Sequence, residues 1–262
     1  MITNYHTHTY RCKHAEGSDE EYVQAAIKMG FEEIGFTDHS PWPLHPFEGG
    51  MIRMKLEQLD NYIESIRFLQ NKYQENIKIY IGLEAEYFED RIAWLKETVE
   101  KYKLDYLVFG NHFYQFDIRN RYFGHYENQE SLLEDYLDHS IKGMKTGLYK
   151  IFAHPDLFMR GYPKWDKQCE AITYEICRVA KEEGVYLEYN LGGVRIEQFN
   201  RVGYPDHHFW EIVAQEGCLS VIGVDAHSPD DFYEEKMFRE AEQYLNNLGV
   251  NLKDRIQIKE IL

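Results

Sequence analysis

The chain is short of cysteine pairs, basic charge, long apolar runs and linker-like tracts, and each shortage excludes something. Four cysteines among 262 residues (Cys12, Cys169, Cys177 and Cys218) form no C-x-x-C pair. That excludes a disulfide scaffold, argues against a four-cysteine structural zinc, and fits free thiols in a reducing cytosol. Lys and Arg number 29 against 45 Asp and Glu, a net charge of -16. A dedicated nucleic-acid binder needs a basic surface to displace counterions. A small anionic substrate stays open, because bound metal ions can create a local positive site on an acidic protein. No apolar run approaches the roughly 20 residues that cross a bilayer, and no basic segment followed by an apolar one opens the chain as a signal peptide would. The expectation is a cytoplasmic protein that does not engage membranes. Without linkers, repeats or low-complexity tracts, and with 44% hydrophobic residues, residues 1–262 read as one domain with a real core.

What is present is a regular alternation of apolar runs and amphipathic segments. Runs at 2–6, 33–37, 77–83, 105–109, 150–153, 185–189 and 219–224 read as strands buried on both faces. Between them, 53–74, 128–146 and 165–183 space their apolar residues three and four apart, the helical period. Ser18 and Glu21 form an S-x-x-E box that opens a helix over 18–29. Gly30, Gly184 and Gly217 each follow a predicted helix, where a left-handed cap is expected. Repeated strand-then-helix units imply a parallel sheet, either open or closed into a barrel.

The strand ends choose between the two. The seven runs end in His6-Thr7-His8, Thr37-Asp38-His39, Glu84, Asn111-His112, His154, Asn190 and Asp225-Ala226-His227. Parallel barrels place their chemistry at the carboxyl ends of the strands. Seven polar endings can converge on one point only if the strands circle it. The expected fold is therefore α/β, a distorted seven-stranded (β/α)7 TIM-like barrel. Alternate strand residues share a face, so His6 points with His8 and Asp225 with His227. Neutral imidazole suits zinc, iron or manganese. Glu84 closes a strongly apolar strand, where an unpaired carboxylate is costly and calls for a cation or hydrogen bonds. A carboxylate can also bridge two metals. His14, His112 and His154 are ambiguous singly. His139 reads as a solvated helical histidine, His45 as a candidate cleft residue in a Pro-rich loop, and His125, His207 and His208 carry no motif.

Taken together these residues resemble the PHP (polymerase and histidinol phosphatase) domain family. Its motifs read here as His6-x-His8, His14, His39, Glu84, His112, His154 and Asp225-x-His227, from residue 2 to about residue 230. The resemblance implies the distorted barrel and three divalent ions of zinc, iron or manganese. Carried over by position, one ion would sit on His6, His8, Glu84 and Asp225. A second would share Glu84 and add His112 and His154, and a third would take His14, His39 and His227. The stretches His6-Thr7-His8-Thr9, Cys12-x-His14, Phe36-Thr37-Asp38-His39-Ser40 and Gly82-Leu83-Glu84-Ala85-Glu86 resemble the histidinol-phosphatase branch. Gly110-Asn111-His112 departs from the family pattern in its asparagine but keeps the ligand.

Three divalent ions carry more positive charge than two ligand carboxylates and a bridging hydroxide remove, so the pocket would draw a phosphate dianion. Ions about 3.5–4 Å apart acidify water and clamp the attacking and leaving oxygens of an in-line displacement. The expected reaction is hydrolysis of L-histidinol phosphate to L-histidinol and phosphate, a step of histidine biosynthesis, by a metal-bound hydroxide. Arg160 and Arg195 lie in loops after the fifth and sixth strands and resemble the phosphate-contacting arginines of that branch; a guanidinium offers a planar fork to phosphate oxygens. Glu84, Asp225 and His227 complete the expected catalytic set, although Asp225 as a metal ligand would be a poor proton donor. Asn190 is expected to bond a ligand or the substrate, and Arg119 is a further candidate. Glu86, Tyr87, Phe113, Tyr114 and Asp117 are candidates to meet an imidazole and an ammonium group. Three other readings compete. One is a PHP phosphoesterase acting on nucleotides, oligonucleotides or phosphotyrosine. Another is an amidohydrolase, which bridges its metals with a modified lysine that no strand end here supplies. The last is a non-catalytic domain, which the nine filled ligand positions argue against. The expected partner is a small phosphomonoester, and the sequence does not bear on oligomeric state.

Overall fold

The computed structural model describes residues 1–43, 52–114, 122–125, 129–162, 164–197 and 203–258. Strand and helix alternate through it. β1 (Thr3–Asn4) is followed by α1 (Asp19–Lys28) and β2 (Glu33–Phe36). Then α2 (Leu59–Lys72) leads to β3 (Lys78–Ala85), α3 (Ile92–Tyr102) to β4 (Tyr106–Gly110), and α4 (Gln129–Lys145) to β5 (Ile151–Ala153). A short α5 (Phe158–Gly161) and the long α6 (Lys167–Glu183) precede β6 (Tyr186–Asn190). The chain ends with α7 (Leu191–Glu197), α8 (His207–Glu216), β7 (Leu219–Gly223), α9 (Glu235–Leu248) and β8 (Asn251–Leu252).

The helix boundaries follow local chemistry. Ser18 accepts from the Glu21 amide while the Glu21 carboxylate takes the Ser18 amide, the expected capping box. Asp166 and Asp206 cap α6 and α8 in the same manner, each accepting from two amides. Gly30, Gly184 and Gly217 sit at φ of 78°, 67° and 66°, as expected for residues that close helices.

All eight strands lie in one sheet in sequence order, and every neighbouring pair is parallel. The count corrects the expectation of seven. β8 is two residues long and pairs only with the start of β7, Leu219 with Asn251 and Ser220 with Leu252. So short a strand leaves no apolar run to read. Just beyond it, Asp254 O accepts from the Thr3 hydroxyl, so the last strand lies beside the amino end of β1. At the other end β1 and β7 meet directly. Thr7 bridges Ala226 in parallel, and His8 N donates to Ala226 O at 2.9 Å. The sheet therefore curls into a barrel-like form whose polar strand ends face one another.

Residues two apart along a strand build layers inside this curl. Tyr80, Tyr106, Val108, Ile151, Ala153, Tyr186 and Val221 pack as a floor, separate from the larger core between sheet and helices. Above it stand Glu84, His112, Glu188 and Asp225, in step with Tyr80, Tyr106, Tyr186 and Val221. Between floor and site the same strands carry Gly110 and Gly223, which leave room for His112, Glu84 and Glu188, and Gly82, which lies close against the Tyr106 carbonyl.

Candidate metal centre and active site

The nine proposed ligands come together at the carboxyl ends of the strands, and eight of them line a single cleft of about 920 Å³. The ninth, His6, lies fully buried beneath it. Glu84 is the hub. Its Oε1 lies 3.2 Å from His154 Nε2 and 3.3 Å from His112 Nε2. Its Oε2 lies 2.9 Å from His39 Nδ1 and 3.5 Å from both His6 Nε2 and His8 Nε2. The two oxygens of one buried carboxylate thus face two different sets of imidazoles, as a bridging ligand must. Asp225 Oδ1 adds itself to the second set, 3.0 Å from His8 Nε2 and 3.5 Å from His6 Nε2. His14 and His227 form the outer group, their Nε2 atoms 2.9 Å apart. His39 stands between this group and Glu84, with ring centroids 5.5 Å from His14 and 4.4 Å from His8.

The hydrogen-bond pattern shows that cations fit here. His14 Nδ1 is 2.9 Å from Cys12 O, and His227 Nδ1 is 3.0 Å from Asp225 O. A carbonyl only accepts, so both Nδ1 atoms carry the proton and both Nε2 atoms present lone pairs to each other. Lone pairs facing at 2.9 Å repel unless a positive centre lies between them. His6 likewise turns Nε2 inward, 3.1 Å from His8 Nε2, with Nδ1 at 2.8 Å from the Glu188 carboxylate. Glu84 Oε2 and Asp225 Oδ1 are buried and accept no well-directed hydrogen bond, the costly condition that a cation relieves.

The charge balance says the same. Burial pushes Glu84 and Asp225 up, but the surrounding imidazoles, His112 and His39 at Glu84 and His6 at Asp225 foremost, pull both well below the carboxylate range. Burial disfavours charge on His6, yet Glu188, Asp225 and Glu84 raise it well above its ordinary value. His8 is likewise lifted to about 9 against the cost of burial, by Asp225 and Asp38. Burial lowers His39 well below its usual range and takes His227, with His8 beside it, down to about 3. His6 and His8 thus take up charge, while His39 and His227 shed it even though His39 Nδ1 lies 2.9 Å from Glu84 Oε2.

Two of the proposed ligands sit on strained backbone. His154 has φ 35° and Asp225 φ 49°, left-handed conformations that non-glycine residues seldom adopt. Such strain clusters where geometry serves function. Asn190, buried at the end of β6, donates to Asp225 Oδ2 at 3.2 Å and accepts from Gly193 N at 2.8 Å.

Arg160 and Arg195 both line the cleft. Arg160 lies over the Tyr122 ring and is held by long contacts, 3.4 Å to Tyr122 OH and 3.4 Å to His125 Nε2. Arg195 is tied more tightly. Nη1 and Nη2 donate to Val224 O at 2.9 and 2.5 Å, and Nε faces Asp231 at 3.3 Å. It therefore also braces the turn that carries Asp225.

Other expectations are corrected. Of the four aromatic and acidic candidates among the described residues, Glu86, Tyr87, Phe113 and Tyr114, only Phe113 lines the cleft. Tyr87 and Tyr114 line a separate hollow beside Asp138 and Lys142. Glu86 is buried behind the ring. It takes Arg53 Nη2 at 2.8 Å and Trp42 Nε1 at 2.8 Å, and lies 3.3 Å from His112 Nδ1. Asp117, Arg119 and His45 lie outside the described residues. His139 is buried rather than solvated, its ring 4.9 Å from Tyr114; one face of α4 packs where its charged neighbours suggested water. His207 and His208 remain on the surface of α8. Sequence reasoning missed Glu188, although a carboxylate inside an apolar strand, the signal used for Glu84, was there to find it.

The PHP domain model matches residues 4–191. The chain belongs to the PHP domain family. Among curated relatives of this PHP protein, a probable histidinol-phosphatase of Deinococcus radiodurans is 29% identical over 231 residues, 86% of each chain. The histidinol-phosphatase of Bacillus subtilis is 26% identical over 252 residues, 86% of this chain and 93% of that one. Among solved structures, a histidinol phosphate phosphatase of Lactococcus lactis, complexed with zinc, L-histidinol and phosphate, superposes with TM-score 0.73 at 22% identity. That alignment covers 96% of this chain and 95% of the other. No helix among the described residues is long and apolar enough to cross a membrane.

Proposed function

We propose that this PHP protein is a metal-dependent phosphomonoesterase that hydrolyses L-histidinol phosphate to L-histidinol and phosphate. The observation that carries this is Glu84, whose two buried oxygens face separate imidazole groups, in a chain whose relatives are histidinol-phosphatases. The clustered imidazoles and carboxylates fit divalent metal ions, and on this reading there would be three, of zinc, iron or manganese. His6, His8, Glu84 and Asp225 would hold one; Glu84, His112 and His154 a second; His14, His39 and His227 a third. Ions bound there would supply Lewis-acid charge and an acidified water for attack on phosphorus.

The chain's own groups do the rest. Arg160 reaches into the cleft to bind the non-bridging phosphate oxygens, and Arg195 presents its guanidinium edge while bracing the Asp225 turn. Asn190 orients the Asp225 carboxylate. Phe113, Leu157 and Tyr204 narrow the cleft and limit water. Glu16 and Asp231 on its wall suit a substrate carrying an ammonium group. The bond from phosphorus to the alcohol oxygen breaks, the bond to the water oxygen forms, and the leaving alkoxide takes a proton. The acidic surface favours a small phosphomonoester over nucleic acid. The whole chain acts as one domain, and its four cysteines, all unpaired and buried, suit the cytoplasm.

The test is phosphate release from L-histidinol phosphate beside p-nitrophenyl phosphate, phosphotyrosine and nucleotides, with metal content measured on the same sample. We expect kcat/KM for histidinol phosphate to exceed that for p-nitrophenyl phosphate by roughly 100-fold, about 2.7 kcal/mol. Equal efficiencies would refute the substrate and leave the phosphoesterase.

A further inference from the structure

Strand β6 gives no residue to the ring of nine, yet Glu188 in its middle is as buried as Glu84. We propose that Glu188 is a positioning residue for the metal centre: it fixes the tautomer and aim of His6 and locks His154 and Asp225 around it. The proposal rests on reading the nine-residue cluster as a metal site.

Three observations carry it. First, Glu188 Oε1 lies 2.8 Å from His6 Nδ1. A carboxylate accepts, so a proton stays on Nδ1 and Nε2 is the nitrogen turned toward the cluster. There it meets His8 Nε2 at 3.1 Å and both Glu84 and Asp225 at 3.5 Å. An anion behind an imidazole also makes its free nitrogen a stronger donor to a metal. Second, the other oxygen binds neighbouring strands. Oε2 accepts from Asn190 Nδ2 at 2.8 Å and from the His154 amide at 3.3 Å. The same Asn190 nitrogen reaches Asp225 Oδ2 at 3.2 Å. One carboxylate thereby links β6 to residues just beyond β1, β5 and β7. Third, the fold keeps space for it. A Cβ on Gly223 would lie 1.8 Å from Glu188 Oε1.

Its surroundings set Glu188 apart from Glu86, which is matched by Arg53 at 2.8 Å. No lysine or arginine pairs with Glu188 among the described residues; its one ion-pair partner is His6. A buried anion so placed is costly unless positive charge meets it, on that imidazole or at its far side.

The test uses zinc-loaded protein with Glu188→Gln and Glu188→Ala, reading zinc per chain, zinc affinity against a chromophoric chelator, and unfolding temperature with and without metal. Glutamine keeps the shape and removes the charge. The expected result is one zinc ion weakened by roughly ten- to hundred-fold in Glu188→Gln, and at least as much in Glu188→Ala. The fall in melting temperature in Glu188→Gln should be larger with zinc than without it, which a purely structural role would not give. Zinc affinity in Glu188→Gln equal to wild type, or an equal fall in melting temperature with and without metal, would overturn the proposal. A wild-type chain with no affinity for zinc would overturn it together with the metal reading. A wild type that binds zinc but spares histidinol phosphate refutes only the substrate, and the zinc results still decide the role of Glu188.

Discussion

A carboxylate set among Ile79, Ile81, Leu83 and Ala85, all buried, is destabilising unless cations meet it. Imidazoles surround Glu84 on two sides, and that arrangement makes a costly residue the centre of the site. His139 shows the opposite case, a titratable group buried with no use for charge. Burial lowers its pKa to about 4, from 6.5. The folded protein keeps it neutral while the unfolded chain protonates below 6.5. Its contribution to stability is therefore complete above pH 6.5 and is lost as pH falls toward 4, by up to about 3 kcal/mol. Replacing His139 with Phe, which suits the Tyr87, Tyr114 and Phe123 rings around it, should remove this dependence. Denaturant unfolding at pH 7 and pH 4 checks it: parallel losses in wild type and His139→Phe would show that His139 does not titrate across folding.

The strands decide where these side chains point, and glycine decides how close they come. Gly110 ends β4 on the inner face, where a Cβ would lie 2.4 Å from His112 Cε1 and 2.5 Å from Glu84 Oε1. The atoms in the way belong to the two side chains proposed to hold the second ion, so an added methyl must displace the site itself. Gly110→Ala should keep its circular dichroism spectrum and lose metal, with kcat/KM down by about 100-fold or more, or 2.7 kcal/mol. Full metal occupancy at wild-type activity would show that the site tolerates the shift. The helices α1, α2, α4 and α6 were legible because their signals are local, whereas α3 and α9 were not picked out. Ser18 with Glu21, and Gly184 and Gly217 past their helices, need only neighbours in the chain. The short α5 and α7 and the two-residue β8 were not, because so few residues show no period and pairing partners hold them in place.

At the scale of the molecule, the ring of ligands exists only when the sheet has curled and Thr7 has met Ala226. Metal ions should therefore bind the folded chain and not the unfolded one. Free metal at 100 times its dissociation constant adds about 2.7 kcal/mol, or roughly 5–10 °C in a chain of this size. A chelator should lower the melting temperature by that order, and added zinc should restore it; coincident melting curves would mean that the ring holds no ion. The sequence by itself determined the repeating strand and helix, the parallel order, the family and the identities of the nine clustered residues. Those depend on local period and on residue types at strand ends. Only the tertiary structure decided which nitrogen of each imidazole faces the cluster, that Arg195 braces the Asp225 turn, that Glu86 stands behind His112, and that Glu188 stands behind His6. His6 and Glu188 are 182 residues apart, and nothing local in the sequence says that closing the barrel brings them together.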